Sequence, residues 1–402
     1  MVRLKRLKML ILLHPYKFTN FHFIRYELDI FEHKLKDKFE IHDLSRIVNP
    51  TWNSAFKLKR HKKAKEFKSI KDWEKHFDKI KLKYKNIIVF NLLDINSFKS
   101  LLIQIKLKKF TKRVVQLDSP GHPNVSVEKK LKINLITLKK KIVTIINSPK
   151  SLYFFIKTKI LKIAAKFIYF NEIFILYHGS KKNFLSNFNA KKKIFVNYHS
   201  PDFSRMNLNI NKKIKKNKPV AIFLDAPGPH FQNDYDLIQN KIKYDKIKWY
   251  KDLNNFLKKV EKIYSCKIVI IPHPKIKKQK NPFYSKDLKI SHDLEAVHKY
   301  IPKSKFVISI AASTAVGLAC VCNKPIILIY NDQLKKLNPG LYEETKFISK
   351  VYKTSLININ DYKISQLIRP IDKKHNKKII YKYITSKKIA DKKNYQIFNS
   401  II

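Results

Sequence analysis

Two pairs of residues have the types and positions best suited to chemistry on a phosphorylated ligand: His273 with Pro274, and Ser313 with Thr314. An imidazole such as that of His273 can donate a hydrogen bond to a phosphate or stabilise a leaving group. Two hydroxyls at a helix N-terminus form an anion site, because the helix dipole and the first backbone N–H groups favour negative charge there. Structural interpretations also exist, since Pro274 would end a strand and Ser313 would cap a helix over residues 315–323.

Three short apolar runs would position these residues. They cover residues 267–271, 306–310 and 325–330, are rich in β-branched residues, and alternate with segments long enough for helices. This pattern predicts βαβ units and a parallel sheet buried on both faces. Ligands of open parallel sheets bind outside the carboxyl ends of the strands, so we expect the turns after these runs, including Asn331 and Asp332, to meet at one crevice.

The loop after the predicted strand at residues 220–224 would extend this crevice. It contains Asp225 and Gly228 among prolines. A glycine at a strand end can let backbone N–H groups approach a phosphate. The single glycine matches neither the Walker loop nor the dinucleotide-binding fingerprint, so Asp225 and Gly228 are candidate ligand contacts without a diagnostic motif.

The first half of the chain also places polar residues after predicted strands. Asp118 follows one such strand, and His122 lies just beyond the next turn. His14, His178 and His199 each follow a further apolar run. Carboxylates and imidazoles at the mouth of a parallel sheet are suited to acid–base catalysis. Asp118 could equally cap the turn that follows it, so both interpretations stay open.

Hydrophobic periodicity divides the chain into two α/β halves. In the first half it predicts strands over residues 8–13, 39–44, 86–90, 113–117, 173–177 and 194–198, and helical segments over residues 20–35, 53–85 and 97–105. A polar, basic and Asn-rich stretch separates the halves and predicts a linker. We therefore expect an N-terminal domain over residues 1–206, a linker over 207–219, a C-terminal domain over 220–375 and a basic helical tail over 376–402.

The chain is strongly basic, with 86 Lys and Arg residues against 30 Asp and Glu residues and a net charge of +56. Such a charge is compatible with nucleic acid, anionic lipid or a phosphorylated substrate. The lysines are spread through almost every segment, which favours a compositional bias over one binding face. The sequence contains no helix-turn-helix, zinc-finger or RNA-binding aromatic motif, and this argues against a specific nucleic-acid partner.

Residues 126–170 alternate aromatic and apolar residues with regularly placed lysines. This pattern is typical either of a packed surface helix or of a helix at the surface of an anionic membrane. The sequence contains no uninterrupted apolar stretch of about 20 residues, the length of a membrane span. The apolar run near the N-terminus is about seven residues long, at the bottom of the range for a secretory signal, and no small-residue cleavage site follows it, so we expect a first strand there. We therefore expect a cytoplasmic protein, with peripheral association at the inner membrane as an alternative.

The three cysteines, Cys266, Cys320 and Cys322, predict no metal centre or disulfide framework. Cys320 and Cys322 are spaced C-x-C, and no second pair completes a zinc site. No acidic D-x-D motif stands at a predicted strand end either. We therefore expect no metal and no cofactor, with the charge of a bound ligand met by helix N-termini, histidine and lysine.

The order of these motifs resembles that of the GT-B glycosyltransferases, whose two Rossmann-like domains face each other across a cleft. Within that class it is similar to bacterial surface-polysaccharide transferases, including capsule and sialyltransferase-like families. The resemblance implies that the pairs at His273 and Ser313 contact the nucleotide phosphates and the sugar of the donor. It also implies that Asp118, near Gly121, is the catalytic base, although Ser119 and Pro120 replace the second acid of the family's acidic-Gly motif.

The expected activity is transfer of a sugar from a nucleotide-activated donor to a cell-surface glycan or a lipid-linked acceptor. Asp225, Gly228, His273, Pro274, Ser313 and Thr314 would bind the donor, with His273 also catalytic. His14, His122, His178 and His199 are the candidates on the acceptor side. Two enzymatic alternatives are a nucleotide-sugar 2-epimerase and a polyol-phosphate transferase on the same fold. The alternative that is not an enzyme is a basic nucleic-acid-binding protein, which a steep dependence of binding on salt would reveal.

Overall fold

The computed structural model describes residues 8–34, 38–50, 58–118, 123, 149–180, 188–210, 219–225, 228–229, 242–273, 281–311, 313–363 and 367–401. The strands are β1 (Lys8–His14), β2 (Lys38–Asp43), β3 (Ala64–Glu66), β4 (Asn86–Asn91), β5 (Arg113–Asp118), β6 (Tyr169–Tyr177), β7 (Asn189–Asn197), β8 (Val220–Asp225), β9 (Lys267–Pro272), β10 (Lys289–Ile290), β11 (Ser304–Ser309), β12 (Ile326–Tyr330) and β13 (Ser355–Asn358).

The α-helices alternate with these strands. They are α1 (Asn20–Arg25), α2 (Leu28–Lys34), α3 (Ser45–Val48), α4 (Ile70–Lys83), α5 (Phe98–Phe110), α6 (Pro149–Ala165), α7 (Pro201–Ile210), α8 (Lys246–Ile263), α9 (Ala296–Tyr300), α10 (Thr314–Val321), α11 (Asp332–Leu337), α12 (Pro339–Tyr352), α13 (Lys373–Ile379) and α14 (Asn394–Asn399). A π-helix (Ile380–Ile384) continues α13.

Two parallel sheets organise the fold. The first has seven strands in the order β3-β2-β1-β4-β5-β6-β7, and the second has six in the order β10-β9-β8-β11-β12-β13. In both sheets the order reverses beside the first strand, between β1 and β4 and between β8 and β11. This is the doubly wound arrangement of Rossmann-like domains, in which the reversal opens a crevice at the carboxyl edge. The predicted α/β architecture with two Rossmann-like sheets is therefore confirmed.

Apolar side chains fill both faces of each sheet, as expected for parallel strands with crossover helices on either side. Beneath the first sheet, Trp73 and Phe77 from α4 and Leu161 from α6 pack with Val89 of β4. The central strand β8 of the second sheet is buried from Ala221 to Asp225. The predicted runs became strands because nearly every residue in them is apolar and enclosed.

Two helical predictions in the first half are wrong in part. The helix predicted over residues 20–35 is two helices in its described part, because Glu27 adopts a left-handed conformation with φ of 56° between α1 and α2. The segment over residues 53–85 contains strand β3 before helix α4. β3 is an edge strand with the sequence Ala-Lys-Glu, and backbone pairing to β2 holds it in the sheet. Such a short polar strand has no hydrophobic period to detect.

Helix α7 occupies the start of the predicted linker at residues 207–219. The helix runs to Ile210, and its Phe203 and Met206 pack in the core under the second sheet. Residues 211–218 lie outside the described part. We propose that the chain crosses to the second domain at α7, a few residues before the boundary expected at 206.

The C-terminal segment returns across both sheets. Ile384 of the π-helix packs with the core around α10, whereas Ile397 and Phe398 of α14 pack against β1 and β4 of the first sheet. The backbone N–H of Ser180 donates to the carbonyl of Tyr381 at 2.8 Å. The tail predicted over residues 376–402 thus joins the two halves of the molecule. Among the described helices, none combines the length and apolar character needed to cross a bilayer.

Candidate functional site

The second sheet brings three predicted donor contacts to adjacent strand ends. Asp225 ends β8, His273 follows β9 on one side, and Ser313 follows β11 on the other. The gap between β8 and β11 is the point where the strand order reverses, so these residues border the expected crevice. Gly228 lies beyond Asp225 and is buried, whereas Pro274 lies outside the described residues.

Asp225 is enclosed at the centre of this edge. Burial raises the pKa of Asp225 to about 7, and the nearby Tyr284 hydroxyl opposes this only in part. Near neutral pH the carboxyl is therefore poised between its protonated and ionised forms. A protonated carboxyl can donate a hydrogen bond, whereas a carboxylate can only accept one. Asp225 could therefore donate to a phosphate oxygen when protonated, or accept from a sugar hydroxyl when ionised.

Replacing Asp225 by Asn should stabilise the protein at pH 8 and leave its stability near pH 4 almost unchanged. The carboxyl of the unfolded chain has its ordinary pKa of 3.8, whereas the folded one ionises near pH 7. The unfolded state thus gives up its proton first, and the folded state loses stability as pH rises between these values. The stabilisation by Asn should reach about 2–4 kcal/mol above pH 7. Urea unfolding at both pH values measures it, and an equal effect at both would contradict the buried carboxyl.

Ser313 occupies the N-cap position of α10 without capping the helix. Its backbone is extended, with φ of −146° and ψ of 161°, but its side chain makes no cap hydrogen bond. Within the described part of the chain, Ser313 Oγ is buried and has no hydrogen-bond partner. A hydroxyl enclosed at a helix N-terminus without a partner is suited to receive a ligand oxygen.

Thr314 instead links the second sheet to residues that the sequence did not single out. Its hydroxyl lies near the carboxylate of Asp202, at the start of α7, and helps to lower the pKa of that carboxyl. On the other side, the guanidinium of Arg25, which ends α1, donates to the same carboxylate at 3.0 Å. Asp202 therefore bridges the first domain to the N-terminus of α10.

The charge of Asp202 is maintained by these neighbours. Burial is the largest effect and opposes its ionisation, but its neighbours, led by the Arg25 guanidinium, together hold the pKa of the Asp202 carboxyl below its usual value. His298 of α9 and the Thr314 hydroxyl act in the same direction. In the sequence Asp202 resembles an ordinary acidic residue in the first turn of a helix, so no local signal marks its partners.

A second ion-pair group lies beside this bridge. Arg205 of α7 donates to Asp29 at 2.9 Å and to Glu295 at 2.8 Å. Asp29 belongs to α2 of the first domain, whereas Glu295 precedes α9 of the second. Among the described residues, helix α7 thus carries two ion-pair groups that connect the two halves.

The first sheet collects its candidates along its own carboxyl edge. Asp118 ends β5 and is paired in register with Tyr177 of β6, just before His178. His14 ends β1 at the point where the strand order reverses. The Asp118 side chain and all of His122 lie outside the described part of the structure.

His14 and His178 are both buried and uncharged at neutral pH. Burial lowers the pKa of each imidazole to about 4. His14 Nδ1 donates to the carbonyl of Tyr16 at 2.7 Å, and His178 Nδ1 lies 3.2 Å from the carbonyl of Tyr198. The positive charge of Arg25 also lowers the pKa of both imidazoles, by less than burial does. Neutral imidazoles beside the bridge between the domains remain candidates for contacts to the acceptor.

His199 holds the C-terminal segment. Its Nδ1 lies 2.6 Å from Thr385 Oγ1, and its Nε2 lies 2.7 Å from the carbonyl of Lys392. Its backbone N–H also donates to Asn394 Oδ1 at 3.1 Å. Both ring nitrogens are thus occupied within the chain, and we assign His199 to packing of the tail instead of contact with an acceptor.

Among the described residues, one group has the composition of a metal site: Glu40, His42 and His76. Trp73 Nε1 donates to His42 Nδ1 at 3.2 Å, and Lys65 Nζ lies 2.9 Å from His76 Nδ1. An indole N–H and an ammonium can only donate, so each ring carries its proton on Nε2 and directs it at Glu40.

This arrangement suits a carboxylate better than a metal ion. The Nε2 atoms of His42 and His76 lie 3.3 and 2.8 Å from Glu40 Oε2. The hydrogen bond from His42, with that from His76, lowers the pKa of Glu40 to about 2. A metal would need lone pairs where these rings present N–H groups. We therefore interpret the group as a structural hydrogen-bond network.

No protein-family model matches the sequence, and no curated protein matches it. Among solved structures, the chain is similar to the wall teichoic acid polymerase TagF, with a TM-score of 0.51 and 10% identity over 99% of this chain and 88% of that one. It is also similar to the UDP-GlcNAc 2-epimerase from Methanocaldococcus jannaschii, with a TM-score of 0.43 and 12% identity over 98% and 99% of the chains.

A third similar structure is the spinosyn forosaminyltransferase SpnP, with a TM-score of 0.42 and 7% identity over 98% of this chain and 94% of that one. At such identities a structural likeness shows the fold alone. The likeness to TagF shows a GT-B-like fold over nearly the whole chain.

Proposed function

We propose that the protein is a glycosyltransferase that moves a sugar from a nucleotide-activated donor to a cell-surface glycan or a lipid-linked acceptor. The observation that carries the proposal is the carboxyl edge of the second sheet. There, the Ser313 hydroxyl is enclosed at a helix N-terminus and has no partner among the described residues, and Asp225 ends the adjacent strand β8 at the switch point. A diphosphate would be met at this edge by N–H groups, hydroxyls and an imidazole.

The two sheets would each bind one of the two substrates. The donor would lie on the second sheet, with His273, Asp225, Gly228, Ser313 and Thr314 around it. The acceptor would lie on the first sheet, near Asp118 and the neutral rings of His14 and His178. The resemblance to capsule and sialyltransferase-like enzymes and the likeness to a polymerase of a cell-wall polymer both support a surface polymer as the product.

The contact between the domains at the start of helix α7 would contribute to catalysis. Asp202 holds Thr314 at the donor edge, while Arg25 holds Asp202 from the first domain. Since sugar transfer requires donor and acceptor to be aligned closely, a fixed contact between the two edges favours a productive arrangement. We therefore assign Arg25 and Asp202 as positioning residues.

Replacing His273 by Ala should weaken the binding of the nucleotide sugar by about 1–3 kcal/mol, the usual loss for a hydrogen bond to a charged group. His273 is half-buried at the end of β9, where the donor phosphates would lie. Isothermal titration calorimetry measures the change. His292→Ala, at an exposed histidine in the same domain, is the control that should bind normally. Equal affinities for wild type and His273→Ala would remove His273 from the site.

A nucleotide-sugar 2-epimerase or a polyol-phosphate transferase would use the same fold. Epimerisation at C2 must break the C2–H bond, so an epimerase in D₂O introduces deuterium at C2 of the sugar. Incubating the protein with nucleotide sugars in D₂O, with and without glycan acceptors, separates the activities by NMR. A glycosyltransferase should release nucleotide only when an acceptor is present and should introduce no deuterium at C2. Deuterium at C2 would show that the protein is an epimerase instead.

A further inference from the structure

Helix α6 exposes apolar residues on the side opposite the protein core. Its Leu161 and Ala165 are buried under the first sheet. Large apolar side chains nevertheless recur on the outer side at helical spacing and are exposed: Tyr153, Ile156, Ile160, Ile163 and, just past the helix end, Phe167. Phe167 is 82% exposed and Ile163 57% exposed. A surface helix of a soluble protein ordinarily presents polar residues on this side.

Helix α5 continues this apolar surface. Its buried face includes Ile103 and Leu107, whereas its outer face exposes Phe98, Leu102 and Ile105. The two helices share the core under the first sheet, because Ile103 and Leu107 pack in the same cluster as Leu161 of α6. Exposed apolar residues of both helices therefore form one patch, and contiguous patches of this kind mark interaction sites.

Lys157 of α6 lies between the exposed apolar residues of α5 and those of α6. Its ammonium lies 5.9 Å from the ring centroid of Phe98 and 5.7 Å from that of Tyr153. This places a positive charge between an aromatic ring of α5 and one of α6. Aromatic rings beside lysines are typical of the boundary between lipid headgroups and acyl chains.

The charges on the two helices have one sign. Neither α5 nor α6 contains an acidic residue. Lys159, Lys162 and Lys166 are exposed along α6, and Lys99 and Lys108 are exposed along α5. An apolar surface on helices that carry only cationic charges is complementary to anionic lipid, since the acyl region takes the apolar side chains and the headgroups take the ammonium groups.

We propose that this face of α5 and α6 binds peripherally to an anionic membrane surface. Both helices are crossovers between parallel strands and run against the strand direction, so their N-terminal turns lie towards the carboxyl edge of the first sheet. Phe98, Tyr153 and Lys157 are in or near those turns. Ile163 and Phe167 lie at the opposite end of α6, so the apolar face runs along the whole helix. The bound membrane would therefore lie along this side of the first sheet and reach the edge that carries Asp118. This rests on the proposed function and extends it, since a lipid-linked acceptor would be reached there.

The test is flotation of the purified protein with two kinds of vesicle. One contains phosphatidylcholine alone, and the other contains phosphatidylcholine and phosphatidylglycerol in equal parts. Wild type should float with the anionic vesicles and be released by high salt. The double variant Ile160→Asn with Ile163→Asn should bind about tenfold more weakly or worse. Lys159→Gln with Lys162→Gln should lose about fivefold per lysine on anionic vesicles only.

The control is Leu82→Asn with Ile247→Asn, which removes exposed apolar residues elsewhere and should bind as wild type does. Flotation of the Ile160/Ile163 variant at the wild-type level would overturn the proposal. Failure of the wild type to float with either kind of vesicle would also overturn it. So would light scattering that shows a wild-type dimer and a monomeric Ile160/Ile163 variant, because the face would then be a dimer interface. Because vesicle binding is measured without substrate, its failure would leave the proposed sugar transfer intact.

Discussion

Asp118→Asn is expected to reduce turnover by about 10²–10⁴, the usual contribution of a general base, while leaving donor affinity nearly unchanged. An acceptor hydroxyl becomes a better nucleophile when its proton is taken as the new bond forms. When the transfer inverts the configuration of the sugar, this base must come from the side opposite the leaving nucleotide. With the donor on the second sheet, that side is the carboxyl edge of the first sheet, where β5 ends at Asp118.

Steady-state kinetics together with calorimetric donor binding separate the two effects. Asp78→Asn is a matched control, because Asp78 is an exposed carboxylate on α4, which packs against a face of the first sheet and not at its carboxyl edge. Near-normal turnover of Asp118→Asn would move the role to His14 or His178. These two histidines are neutral near pH 7 and could accept a proton there.

Gly179→Ala is expected to destabilise the protein by about 3–5 kcal/mol, from the combined cost of a strained backbone and a steric clash. Gly179 has φ of 68°, a conformation that residues with a Cβ adopt at a cost. A Cβ built on Gly179 would lie 2.2 Å from the backbone oxygen of Lys382 and 2.6 Å from the backbone nitrogen of Tyr383. Because these are main-chain atoms of the π-helix, the tail itself would have to move.

Urea unfolding monitored by circular dichroism measures this loss. Gly340→Ala is the control, since the nearest atom to a Cβ at Gly340 is 3.8 Å away and the residue is exposed in α12. That variant should equal wild type or gain up to about 1 kcal/mol from helix propensity. Equal stability of Gly179→Ala and wild type would show that the tail does not pack against this loop.

Sequence patterns were sufficient for the parts of the fold that depend on continuous apolar runs. β4, β8 and β12 were predicted to within a residue or so, because buried parallel strands consist almost wholly of apolar residues. β3 was missed, since backbone pairing to β2 suffices for a three-residue edge strand. The break at Glu27 was missed because the apolar period continues on both sides of it.

The candidate site was predictable only where polar residues directly follow a strand. Asp225, His273 and Ser313 were identified by this rule, and the structure places them at adjacent strand ends. Arg25 and Asp202 could not be paired in this way, since 177 positions separate them and the contact exists only once α7 lies between the domains. His199 follows a strand as the others do, but its partners come from a tail nearly two hundred residues further on.

The central claim is that the carboxyl edge of the second sheet binds a nucleotide sugar. Titrating the purified protein calorimetrically with CMP-, UDP-, GDP- and CDP-linked sugars tests it most directly. The account predicts saturable binding of at least one donor with one site per chain, weakened in His273→Ala and only modestly dependent on salt. Binding to none of them, together with binding to nucleic acid whose log–log salt dependence is steep, would contradict the account and favour a basic nucleic-acid-binding protein.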